Sequence, residues 1–176
     1  MLFFENNIVW ALIYTYLIDR FLVYNYNKHI NKHMFFIELF IEAYSIYSKD
    51  HKFFILFTIL LTISITDYIN QDVYSIFNYL LAITMYILVR PNITRLLLSM
   101  MVPISLYIIN RFLNGIGSGD IELLFALAFC FEIVDMVKII FVSSFLNLVY
   151  AFFKKKSSYS FVPFLSISCL IIYLFN

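Results

Sequence analysis

The sequence predicts an all-α protein: a polytopic transmembrane helical bundle of about eight spans, one domain over residues 1–176. Three observations carry that prediction. Hydrophobic residues make up 63% of the chain and charged residues 13%, with a mean hydropathy of +0.89. A soluble globule is about half apolar and a quarter charged, so it could not cover this much Phe, Ile and Leu with polar surface. The apolar residues gather into runs approaching the roughly 20 residues that a helix needs to cross a bilayer. None of these runs alternates with period two, which excludes a membrane barrel, the other fold that satisfies its backbone in lipid.

The runs fall at about 8–25, 34–48, 53–67, 73–90, 92–110, 120–134, 136–153 and 161–175. Short polar stretches such as "SKDHK", "DYINQD" and "KKKSSYS" separate them. The division between the sixth and seventh rests on Glu132, Asp135 and Lys138. Glu5 stands where a signal peptide would carry basic residues, so the first run is read as a retained span. Lys and Arg in short loops orient the chain. With the N-terminus outside, the cytoplasmic side takes Arg20, Lys28, Lys32, Arg111, Lys154, Lys155 and Lys156. The other side takes Lys49, Lys52, Arg90, Arg95 and Lys138. A multi-pass protein of the cell membrane, surrounded by lipid, is the expectation.

Several function classes drop out. A net charge of +1 with no basic stripe gives no reason to expect direct nucleic-acid binding. Cys130 and Cys169 form no CxxC pair, so neither a disulfide framework nor a thiolate zinc site is expected. His29 and His33, four apart in a polar loop, lack further ligands. No metal and no organic cofactor is expected.

All three glycines, Gly115, Gly117 and Gly119, stand in "GIGSGD", which ends in Asp120. Glycine tolerates positive φ and close backbone approach. Irregular backbone is therefore expected at the membrane edge beside Asp120, with an extended substrate lying against it. Asp67 ends the third run and Asp120 begins the sixth, so both fall at the same edge in either orientation. Ionisable groups at such positions are costly and point to function. Two close carboxyls tend to share one proton. One can then activate water while the other protonates the carbonyl oxygen of a scissile peptide. Asp72 is the rival to Asp67, but it lies farther into the loop. Glu122 projects from a different side of a helix than Asp120. Two other classes stay open: a proton- or cation-coupled transporter component using the same aspartates, and an inactive membrane scaffold.

The pattern resembles the type IV prepilin peptidases, GxGD-type intramembrane aspartyl proteases. Gly117-Ser118-Gly119-Asp120 matches their GxGD, within the extended form that begins at Gly115. "LLTISITDYINQD" matches their other aspartate, at Asp67, and "FFIELFIEAY" offers Glu38 for the acidic residue of their second span. "SFVPFLSISCLIIYLF" is similar to the start of their last helix. The chain departs from the pattern at Glu122, where the family has Lys, and at Val73 and Tyr74, where it has Ile-Pro. Only "NYNKHINKH" stands where long members carry a domain with two CxxC pairs, so the resemblance is to the short members. It implies cleavage of the basic leader of prepilin or pseudopilin precursors at the cytoplasmic face. Asp67 and Asp120 would be catalytic, and Gly115, Gly117, Gly119 and Glu38 would serve substrate binding.

Overall fold

The computed structural model describes residues 51–71, 73–113, 115–154 and 160–175. The first two expected spans lie outside the described residues, as do Glu38, the loop histidines and Asp72. Contacts divide the chain into units of residues 1–58 and 59–176. Both expected catalytic aspartates and all three glycines belong to the second unit.

Among the described residues the elements are helices, with no strands. They are α1 (His51–Asn70), α2 (Ser75–Val89), α3 (Ile93–Leu113), α4 (Ser118–Leu127), α5 (Ile133–Lys154) and α6 (Val162–Phe175). The windows Lys52–Ile69, Ile93–Leu113 and Ile133–Phe153 are long and apolar enough to cross a membrane, and α2 and α6 are shorter apolar helices. Little of α3 or α5 is buried inside the protein. Leu97, Met101, Phe141 and Phe145 lie exposed on them. Such faces suit lipid, which is as apolar as the side chains that meet it.

Hydroxyl groups inside these apolar helices bond back to carbonyls one turn earlier, as polar groups away from water must find partners. Ser64 Oγ donates to Leu60 O at 2.7 Å, Thr66 Oγ1 to Ile63 O at 2.9 Å, and Ser168 Oγ to Phe164 O at 2.8 Å. The helix α2 stops where Arg90 turns left-handed (φ 49°) ahead of Pro91, its N–H donating to Tyr86 O. The α1 end is similar. Gln71 has φ 60°, and its N–H donates to Asp67 O at 2.7 Å.

The helix α4 packs on α2 and α3, and α5 packs on α3 and α6. At one end of α2 and α4, Asn78 meets Gly119. At the other, the rings of Tyr86 and Phe129 meet edge to face with centroids 5.9 Å apart. These two helices therefore run parallel. The helix α6 returns along α5, with Phe164 against Tyr150. It also lies antiparallel to the last turns of α1, where Ser166 Oγ meets Ser64 Oγ at 2.6 Å.

Two expectations change here. The run 92–110 continues as helix to Leu113. The run 120–134 is not one helix, because α4 has ten residues and ends at Leu127. At 1.5 Å per residue that is about 15 Å, roughly half the hydrocarbon thickness. The cause is a competing set of partners. The turn after α4 gives its carbonyls to α3 instead of continuing the helical ladder. Ser99 Oγ donates to Phe131 O at 2.9 Å, and Arg95 Nη2 donates to Cys130 O at 2.6 Å. Arg95 Nε also lies 3.7 Å from Glu132 Oε1. Glu132 thus does more than end a span, while Asp135 pairs with Lys138 at 3.1 Å.

Replacing Ser99 by Ala strands the Phe131 carbonyl in a buried place. A loss of about 1–3 kcal/mol of stability is expected, read by thermal unfolding of the detergent-solubilised protein.

Candidate active site

Asp67 and Asp120, far apart in sequence, line one cavity of about 630 Å³. Gly115, Gly117 and Gly119 line the same cavity. Five of the six residues expected at the site are therefore brought together, and the sixth, Glu38, lies outside the described residues.

Each aspartate lies at a helix start. Amides there have no partner within their own helix, and the helix dipole favours negative charge. Asp67 sits in the last turn of α1 and is buried. Its Oδ2 accepts the N–H of Val162, the first residue of α6, at 3.0 Å. Its carbonyl accepts Ser160 Oγ–H, also at 3.0 Å. Asp120 is the third residue of α4, whose N-cap is Gly117. Its carboxyl folds back beside Gly117, where an added Cβ would lie 3.2 Å from Oδ2. Asp120 thus holds the third helical position, the one from which an acid returns toward the N-cap in a capping box.

The glycines work through their missing Cβ and not through unusual dihedrals. No glycine among the described residues has positive φ, and Gly117 at φ −61°, ψ 141° has ordinary extended geometry. Of the two properties that glycine offers, close approach is the one in use here. What matters is space. A Cβ on Gly119 would lie 2.6 Å from Val73 Cβ and 3.2 Å from Val73 O, so this glycine lets the segment before α2 approach α4 closely. The Cβ on Gly117 would crowd the Asp120 carboxyl. A Cβ on Gly115, which also lines the cavity, would meet nothing within 4 Å. Irregular backbone at 115–117 agrees with the expectation from sequence.

Two asparagines that the sequence pattern does not single out hold this segment. Asn110, near the end of α3, donates from Nδ2 to Ile116 O at 2.7 Å. Its Oδ1 accepts the Ile116 N–H at 2.8 Å. Asn78, buried on α2, donates from Nδ2 to Gly119 O at 3.2 Å. The available signal was a carboxamide inside an apolar helix, where it must find a partner. Glu122 lines no part of the cavity, and its Oε2 is buried without a hydrogen bond.

Helices long and apolar enough to cross a membrane thus carry a Gly-Ser-Gly-Asp segment at a helix start and a second aspartate on the same cavity. The chain belongs to the type IV leader peptidase family, whose profile matches residues 54–152. The match includes both aspartates, all three glycines and most of α5. No curated protein and no solved structure matches the chain.

The glycine geometry sets a ranked expectation. Gly119→Ala overpacks the Val73 contact and costs about 1–3 kcal/mol, whereas Gly115→Ala leaves the melting temperature near that of the wild type. Differential scanning fluorimetry of the purified variants checks the order.

Proposed function

We propose that the protein is a membrane aspartyl endopeptidase that removes the leader of type IV prepilin or pseudopilin precursors at the cytoplasmic membrane face. The observation that carries this reading is the shared cavity of Asp67 and Asp120, in a chain of the type IV leader peptidase family.

Two neighbouring carboxyls avoid double ionisation by sharing a proton, and they titrate as a unit. In the proposed reaction the ionised member takes a proton from water. The oxygen of that water attacks the scissile carbonyl carbon, and the protonated member hydrogen-bonds the carbonyl oxygen as it gains charge. Collapse of the tetrahedral intermediate breaks the C–N bond, and the leaving amine takes up the proton. No covalent enzyme intermediate is needed. The Val162 N–H on Asp67 and the helix start that carries Asp120 support a fixed orientation of both carboxyls toward one water, as general acid–base chemistry requires. The irregular backbone at Gly115 offers peptide groups to an extended substrate. A precursor with a basic leader ahead of an apolar helix would set its cut site at the same membrane margin. Here the apolar helix stays in lipid and the leader reaches the cytoplasm.

The test co-expresses the protein with such a precursor. The wild type is expected to shorten it. Asp67→Asn and Asp120→Asn, at equal membrane abundance, should each reduce processing by about 10³-fold or more, because each removes one half of a unit that acts together. Processing that survives either change would overturn the two-aspartate mechanism. Solute transport without any processing would favour a coupled transporter.

A further inference from the structure

Ile140, Ser144 and Asn147 line the cavity together with the two aspartates. Steps of four and three residues put them on one face of α5. Most of α5 is apolar, and a carboxamide at such a place is costly unless it is paired. Yet Asn147 Oδ1 is buried and has no hydrogen-bond partner. The other two site asparagines differ. Asn110 uses both ends of its amide on Ile116. Asn78 also leaves Oδ1 unpartnered, but it bonds Gly119 and does not line the cavity. Asn147 thus combines an unspent acceptor with a position on the cavity wall.

We propose that Asn147 is a substrate-binding residue whose carboxamide pairs with the backbone of the precursor segment lying across Asp67 and Asp120. This rests on the peptidase reading above. A peptide bond can be cut only where the chain is extended and its backbone groups are free of helix. Those freed groups need partners away from bulk water. A carboxamide carries an acceptor and donors in one plane, the same complement that a peptide unit presents. The cavity would hold the cleavable segment between Asn147 on α5 and the irregular backbone of residues 115–117. Recognition of this kind reads main chain and not side chains. It fits a substrate class defined by a leader and a helix instead of by one cut-site sequence.

The test uses the full chain in membranes with a precursor bearing a basic leader and an apolar helix. Asn147→Ala is expected to raise KM about tenfold, the worth of one to two hydrogen bonds, while kcat stays within about twofold. Asn147→Gln, which keeps the carboxamide, should recover part of the loss. In the Asp120→Asn background, a photoreactive residue at position 147 should capture uncut precursor near its scissile bond. The same group at the exposed position Phe141 on α5 should capture none there. A wild-type KM for Asn147→Ala, or no capture at 147 while the wild type still cuts the precursor, overturns the role of Asn147 and leaves the dyad standing. If Asn147→Ala lowers only folded abundance, with KM unchanged in what remains, its role is structural and the proposal fails. A wild type that leaves the precursor whole removes the peptidase reading and this inference with it.

Discussion

Two carboxyl groups that share a cavity repel one another once both are charged, so something must hold them there. In this protein both carboxyls are placed at helix starts: Asp67 accepts the N–H of Val162, and Asp120 stands in the first turn of α4. Amides there have no partner of their own, and the helix dipole favours negative charge. The rest of the arrangement follows from that requirement. The helix α6 must begin where α1 ends, so that Val162 reaches Asp67. The helix α4 must begin two residues before Asp120, so that the side chain can fold back toward its own N-cap, Gly117. Both helix starts must lie at one margin of the bundle.

The same requirement explains the distribution of small and amide-bearing side chains. Glycine is scarce here, and left-handed turns at Gln71 and Arg90 are made without it, although such conformations cost L-residues roughly 1–2 kcal/mol each. Two of the three glycines, Gly119 and Gly117, stand where a Cβ would crowd Val73 or the Asp120 carboxyl. The asparagines of α2 and α3 then fix the exposed peptide groups of the loop. In water those groups could turn to solvent. Beside lipid they need protein partners, and Asn78 and Asn110 supply them.

Much of this was legible in the sequence. Hydropathy located α1, α2, α3, α5 and α6 to within a few residues, because lipid imposes a length and a composition that leave a plain trace. The acidic residues marked the break before α5. The two aspartates were legible because charge at the end of an apolar run is rare. What sequence concealed were features decided by partners distant in the chain. The brevity of α4 depends on Arg95 and Ser99 capturing carbonyls more than thirty positions away. The sense of Gly119 depends on Val73, and nothing local distinguishes a glycine needed for φ from one needed for space. The importance of Asn78 and Asn110 depends on backbone atoms of another segment, which composition does not register.

The hydrogen bonds described above join the helices in two groups. The ends of α1 and α6 are joined through Asp67, Val162 and the Ser64–Ser166 contact. The helices α2, α3 and α4 are joined through Asn78, Asn110, Ser99 and Arg95. One aspartate travels with each group. The helix α5 packs on a member of both, α3 and α6, and so straddles the seam. The two aspartates thus sit on different members of the bundle, and α5 is the helix whose packing spans both groups.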